Sequence, residues 1–207
     1  MTQNYIFDLF RTLVTEPGFR TLFRDLFKME YDEIRKHTTV ADFGGIENCV
    51  DHVVEAYRLG FNREKKEKIV KTIKEWQHTP QLYPGVLETL TDLKGRGAKI
   101  GLISNCDDMI YGVFDKTELS TFFDACIFSH KEGVSKPDPT IYHICLDQMK
   151  ASPLNTTMVG DRMDNDVAPA REMGMRGVLI DYSYKKKPSD SSEPDRIISL
   201  KELLVQE

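Results

Sequence analysis

Residues 5–14 read YIFDLFRTLV. Tyr5, Ile6 and Phe7 form a short apolar run that ends at Asp8. A run this short, with no polar alternation, predicts a strand buried on both faces, as in a parallel sheet. Open parallel sheets bind ligands outside the carboxyl ends of their strands, and Asp8 stands at such an end. The apolar pair Leu9-Phe10 follows, then Arg11 and Thr12.

Four further runs have the same character: AKIGLIS (98–104), ACIFS (125–129), TTMVG (156–160) and RGVLI (176–180). Helical patterns separate them. Val86, Leu87, Leu90 and Leu93 repeat at helical spacing until Gly95 and Gly97 stop the helix. Asp138-Pro139 reads as an N-cap with proline at the first helical position, and Ile141, Ile144, Cys145 and Met149 supply the buried face. Ser199 and Glu202 form a capping box for a last short helix carrying Leu203 and Leu204. This alternation predicts an α/β fold with a doubly wound, Rossmann-like parallel sheet.

From Glu16 to Leu82 the pattern is helical only. Phe19, Leu22, Phe23, Leu26 and Phe27 form one stripe; Ile46, Val50, Val53, Val54 and Tyr57 form another; Ile69, Val70, Ile73 and Trp76 a third. The expected organisation is a core made of 1–14 and 83–207, with 15–82 as a small helical lobe over the sheet's edge. A lobe in that place is expected to move so as to admit substrate. NREKKEK (62–68) reads as a solvated helix face, and SYKKKPSDSSEP (183–194) as the mobile surface segment.

The 207 residues carry a net charge of −5, which argues against nucleic acid or an anionic membrane as the main partner. No stretch approaches the ~20 apolar residues that span a bilayer. The start, MTQNYIF, does not read as a signal peptide. Cys49, Cys106, Cys126 and Cys145 show no CxxC spacing and are expected to be free thiols in a cytoplasmic protein. The sequence assigns no oligomeric state.

Polar residues gather at the predicted strand ends. Asp8 ends the first strand, Ser104 and Asn105 the second. Lys136 lies in the loop after the third, and Asp161 follows the fourth, with Asp164 and Asp166 close behind. Facing carboxylates repel unless a cation sits among them. Hard oxygen ligands suit Mg2+, which takes one or two carboxylates together with a substrate phosphate. Ser104, Asn105 and Lys136 offer the positioning and neutralisation that phosphoryl transfer needs. Asp8 can attack phosphorus and form an aspartyl-phosphate.

Four stretches carry a resemblance: FDLFRTL (7–13), LISN (102–105), SKPDPTIY (135–142) and VGDRMDND (159–166). In that order they resemble the haloacid dehalogenase superfamily with a helical cap inserted after the first motif. Residues 83–105 and 194–204 also read like family sequence, whereas the cap matches in type only. The resemblance implies that Asp8 is the nucleophile. It implies that Asp8, the backbone carbonyl of Phe10 and Asp161 hold Mg2+, with Asp166 in support. Thr12 and Ser104 would bind the transferred group, assisted by Asn105. Lys136 would neutralise the phosphate and orient Asp8. The implied partner is a small phosphorylated metabolite.

Two positions depart from the family pattern. Most phosphatases of the family carry a second aspartate where this chain has Phe10, and glycine where it has Arg11. That aspartate protonates the leaving group and then activates water, a contribution of ~10²- to 10⁴-fold. Without it, turnover is expected to depend on the leaving group. Arg11 points either to solvent or to the phosphate. Three classes stay open: a Mg2+-dependent phosphatase, a 2-haloacid dehalogenase-type hydrolase, and a non-catalytic phosphate-ligand-binding relative. The dehalogenase branch carries an aromatic residue at the Phe10 position but usually serine where this chain has Asp161, which favours phosphate chemistry. Arg20 and Arg24 read as surface residues, Cys106 as a bystander at the site mouth, and ADFGGIEN (41–48) as a substrate loop or a plain turn.

Overall fold

The computed structural model describes residues 3–183 and 195–205. Its sheet has six parallel strands: β1 (Asn4–Phe7), β2 (Ile100–Ser104), β3 (Ala125–Phe128), β4 (Thr156–Gly160), β5 (Arg176–Ile180) and β6 (Arg196–Ile197). Their order is β3-β2-β1-β4-β5-β6. The chain winds outward from β1 to β3 and returns to place β4 on the other flank of β1. The switch point therefore lies between β1 and β4, where Asp8 and Asp161 leave the sheet. The five expected strands are present. The sixth has two residues, too few to leave a period in the sequence.

Successive strand residues face opposite layers. Ile6, Ile103, Ile127 and Met158 bury one face of the sheet, while Phe7, Leu102 and Val159 bury the other. The first layer contains α8 (Pro139–Met149), capped by the Asp138 carboxylate, which accepts from Thr140 N at 2.8 Å. Its packing is tight: a Cβ at Gly101 would stand 2.5 Å from both Cys145 Sγ and Met149 Sδ. The second layer begins with α1 (Phe19–Phe27), α2 (Tyr31–Thr38), α3 (Ile46–Ala56) and α4 (Arg63–Trp76), and continues with α5 (Val86–Gly95) and α6 (Asp108–Asp115). The remaining helices are short: α7 (Ser129–Glu132) after β3, and α9 (Ala168–Glu172) after a π-turn at Met163–Val167.

The expected stripes are buried or partly buried, with Leu22, Leu26, Tyr57, Val70, Ile144 and Leu204 at their half-buried margins, and one residue is exposed. Leu87 is 40 % exposed, and Thr89 takes the buried place on α5. The capping box forms, with Glu202 Oε1 accepting from Ser199 N at 3.2 Å, over a 3₁₀ turn at Leu200–Val205. All four cysteines are free thiols. No helix of the described residues is long and apolar enough to cross a membrane. Of the expected surface segment 183–194, residues 184–194 lie outside the described residues.

Helices α1–α4 share one apolar core with the sheet rather than packing only on each other. Phe19 centres it, with its ring 4.3 Å from Tyr31 and 4.9 Å from Trp76. A buried polar tie reinforces the contact. Asp107 Oδ1 caps α6 by accepting from Met109 N at 3.0 Å. Its Oδ2 accepts from Thr38 Oγ1 at 2.7 Å and Tyr31 Oη at 3.1 Å, both on α2. Any opening of residues 15–82 that separates α2 from α6 must break these bonds.

Asp107→Ala removes a helix cap and strands two buried hydroxyls, so it should lower unfolding free energy by about 2–4 kcal/mol. Tyr31→Phe, which deletes one partner only, should cost about 1 kcal/mol. Urea denaturation of both variants checks the ratio, and equal small losses would show that Asp107 does not tie the layers.

Candidate active site

β1 delivers Asp8 to the carboxyl edge, and the chain then turns sharply. Arg11 takes a left-handed conformation, φ 62°, and its N–H donates to the Val14 carbonyl at 2.7 Å. The turn directs the Thr12 hydroxyl back to Asp8, donating to Oδ2 at 3.3 Å. The other oxygen, Oδ1, is held by Lys136 Nζ at 2.6 Å.

Lys136 is 3 % exposed, and its ammonium is fully engaged. Beside Asp8 it donates to Asp166 Oδ1 at 2.6 Å and to the Ile103 carbonyl at 3.0 Å. Asn105 fixes the lysine from behind: its Nδ2 donates to the Lys136 carbonyl, and its Oδ1 accepts from the Lys136 N–H, each at 2.8 Å. Both ends of the Asn105 amide are thus spent on Lys136. Ser104 is buried and lines the same cavity.

Asp166 is buried by the π-turn, and its Oδ2 accepts from Arg162 N at 3.0 Å. Gly160 allows this approach, because a Cβ there would collide with the Asp166 carboxyl. Asp8, Asp161 and Asp166 each offer a carboxylate oxygen within 4.8 Å of the others. Asp161 Oδ2 is buried without a hydrogen-bond partner among the described residues. Arg11 Nε lies 3.3 Å from it as an ion pair, too poorly aligned to donate. Three hard oxygens with one orphaned are a donor set that fits Mg2+.

One ammonium cannot compensate two buried carboxylates. Burial pulls Lys136 down, but Asp166 and Asp8 together hold it above the ordinary lysine range. Burial pushes Asp8 up against the pull of Lys136, with Asp161 adding to the rise. Asp166 is pushed up to about 6 by burial, which outweighs Lys136. Asp161 is also pushed up to about 6 by burial, with Arg11 opposing.

The cavity above these groups measures about 80 Å³, small beside the ~300–1,000 Å³ of drug-sized sites. Asp8, Phe10, Arg11, Ser104, Asn105, Lys136, Asp161 and Asp166 all line it. Thr12 lies beneath, fully buried. Phe10 stands half-buried at the wall and packs against the apolar core. Asp164 instead pairs with Arg162 on the surface, at 2.7 Å.

Arg20 and Arg24 are exposed, as expected, though Arg20, paired with Asp32 at 2.7 Å, also borders the cavity. Cys106 lies beneath the site, 1 % exposed and 3.6 Å from His130 Nδ1, not at the mouth. The 41–48 loop lines a separate cavity with Asp108 and Tyr111. Sequence reasoning missed Glu16, Tyr31 and Arg35 as wall residues. The i,i+4 spacing of Tyr31 and Arg35 put them on one face of α2, but nothing in the sequence said which face met the sheet.

A family model of haloacid dehalogenase-like hydrolases matches residues 3–174. The chain belongs to that family. It is 34 % identical over 126 residues to a glyceraldehyde 3-phosphate phosphatase of Methanocaldococcus jannaschii, a stretch covering 59 % of this chain and 54 % of that protein. The match to such curated relatives spans about half of their length. Two solved structures share the fold. A 2-haloacid dehalogenase from Pseudomonas syringae superposes with a TM-score of 0.72, at 22 % identity, over 99 % of this chain and 97 % of that one. A haloacid dehalogenase-family enzyme from Bacteroides thetaiotaomicron, solved with magnesium and inorganic phosphate, gives 0.70 at 16 % identity, over 89 % and 97 %.

Asp161 sets a pH dependence. With a carboxyl raised from 3.8 to about 6, its favourable contribution is complete below pH 3.8 and is lost as pH rises through 6. Asp161→Asn mimics the protonated acid. In metal-free protein it should match wild type near pH 4 and exceed it by about 2–3 kcal/mol above pH 7. Urea titrations across that range check this. A difference independent of pH would remove the buried-charge account.

Proposed function

We propose that the chain is a Mg2+-dependent phosphatase of a small phosphorylated metabolite, acting through an aspartyl-phosphate at Asp8. One observation carries the reading: the carboxylates of Asp8, Asp161 and Asp166 meet within 4.8 Å, and the buried Oδ2 of Asp161 accepts no hydrogen bond among the described residues. Such a cluster has a use when a divalent cation joins it. The phosphatase from M. jannaschii and the Bacteroides enzyme with magnesium and phosphate support the same chemistry.

On this reading Asp8, the Phe10 carbonyl and Asp161 hold the metal, with Asp166 in support. When bound, the metal supplies charge neutralisation at the phosphate oxygens. Asp8 attacks phosphorus with one carboxylate oxygen, while the bond from phosphorus to the ester oxygen breaks. Water then attacks the aspartyl-phosphate, freeing phosphate and restoring Asp8. Thr12 and Lys136 hold the nucleophile's two oxygens and so fix its aim. Ser104, on the cavity wall, stays as the candidate for binding the transferred group, whereas Thr12, bonded to Asp8, and Asn105, bonded to Lys136, act by positioning. All three N–H groups of Lys136 are engaged, so it acts on an incoming phosphate by charge. Residues 15–82 form the cap that selects substrate, with 1–14 and 83–207 as the catalytic core. A cytoplasmic location fits the free thiols.

One observation favours a second reading. Arg11 already supplies Asp161 with a positive charge, at 3.3 Å. With that charge neutralised and an aromatic residue at position 10, Asp8 can also be aimed at the halogen-bearing carbon of a 2-haloacid.

Phosphate release from a panel of phosphorylated metabolites should require Mg2+, stop with chelator, and fall by ~10⁴-fold or more in Asp8→Asn. Halide release from short 2-haloacids should be absent. Halide release without Mg2+, together with no phosphate release, would replace the first reading by the second.

A further inference from the structure

Phe10 leaves the reaction without a proton donor beside Asp8, yet an alkoxide leaving from phosphorus needs one. The cavity holds an acid that the site described so far does not use. Glu16 lines it together with Asp8 and Phe10. The residue is half-buried and makes no hydrogen bond or ion pair among the described residues. Every other carboxylate lining the cavity is engaged: Asp8 and Asp166 by Lys136, Asp161 by Arg11.

Its mounting is firm. The preceding residue is pinned on both sides, with Thr15 N donating to the Gln81 carbonyl at 2.8 Å and Gln81 N donating to Thr15 Oγ1 at 2.9 Å. Three residues later, Phe19 is locked in the aromatic core. Glu16 therefore projects from a fixed crossing between the sheet and α1, not from a free loop. In-line displacement puts the leaving oxygen on the side of phosphorus opposite Asp8, towards the helices that roof the cavity. Glu16 lines the same cavity, three residues before α1 begins.

We propose that Glu16 is the general acid and base of the reaction, in place of the missing aspartate at position 10; this rests on the phosphatase reading. In the first step Asp8 forms a bond to phosphorus, the ester P–O bond breaks, and the Glu16 carboxyl gives its proton to the departing oxygen. In the second, the Glu16 carboxylate takes a proton from water as that water's oxygen attacks phosphorus. The bond between phosphorus and Asp8 breaks, and Glu16 is again protonated. The products are an alcohol and inorganic phosphate. The surroundings suit the task. Burial pushes the Glu16 carboxyl above its ordinary value and Asp8 adds to the rise, while Arg11, Arg20 and Arg35 oppose it without overcoming it. An acid poised upward in this way is a better donor near neutral pH.

The test compares kcat/KM for glycerol 3-phosphate and 4-nitrophenyl phosphate, with Mg2+, in wild type, Glu16→Gln and Glu16→Asp. Nitrophenolate leaves without a proton, so Glu16→Gln should lose ~10²- to 10⁴-fold on the alkyl ester and less than about fivefold on the aryl ester. The fall in alkyl-ester kcat/KM at high pH should disappear with it. A burst of nitrophenolate should appear in Glu16→Gln, because the aspartyl-phosphate has lost its base. Glu16→Asp should recover part of the alkyl activity. Equal losses on both esters, or none on either, would overturn the role of Glu16 and leave the phosphatase reading intact. If wild type cleaves neither ester nor any phosphorylated metabolite, that reading fails and this one with it.

Discussion

Lys136 Nζ stands 2.6 Å from Asp8 and 2.6 Å from Asp166, and most of the site is arranged around that charge. Its three donors are satisfied by two carboxylates and the end of β2. Without the ammonium, two buried anions would face each other, a cost of about 3–5 kcal/mol by analogy with broken buried pairs. The lysine is in turn placed by Asn105, whose amide closes on its backbone from both sides. The end of β2 thus decides where a charge from the loop after β3 arrives, and that charge decides the orientation of Asp8 at the end of β1. Three strand ends are coupled by one side chain.

Arg11 shifts the balance of charge at the site. Three carboxylates meet Lys136 and Arg11, leaving one net negative charge. Arg11 adopts a left-handed backbone, at a cost of ~1–2 kcal/mol. Strain of this kind persists where the surroundings over-determine it, here through the 2.7 Å bond to Val14 and the ion pair with Asp161. The guanidinium is 60 % exposed, so it can leave Asp161 without leaving water. The Lys136 side chain, by contrast, is 1 % exposed.

The parallel core was legible because its strands are buried on both faces and leave short apolar runs. The polar residues at their ends, from Asp8 to Asp166, were legible for the same reason: a strand end fixes where a side chain emerges. What the sequence concealed lies on helices and turns. Leu87 was misplaced because a helical stripe has an edge, and only the partner surface decides which edge residue is covered. Cys106 follows Asn105 in the chain, but successive residues after a strand point apart, and the thiol turns inward towards His130. The place of Glu16 in the cavity wall depends on how α1 packs, through the contacts of Phe19 with Tyr31 and Trp76, residues far apart in sequence.

The segment from Asp8 to Arg20 carries a large share of the site, and its two ends are anchored differently. Tyr182 Oη donates to the Thr12 carbonyl at 2.8 Å, and its ring stacks on Tyr83 at 3.8 Å. Val14 bridges to Leu82. Through Thr15, then, the segment belongs mechanically to the sheet; beyond it, the chain belongs to the helices. Asp8, Phe10 and Arg11 sit on the near side of that boundary, and Glu16 is the first residue past it. A relative movement of the two parts would leave the nucleophile where it is and turn about the crossing from which Glu16 projects. The bonds from Asp107 to Thr38 and Tyr31 hold α2 against α6, so they resist that movement.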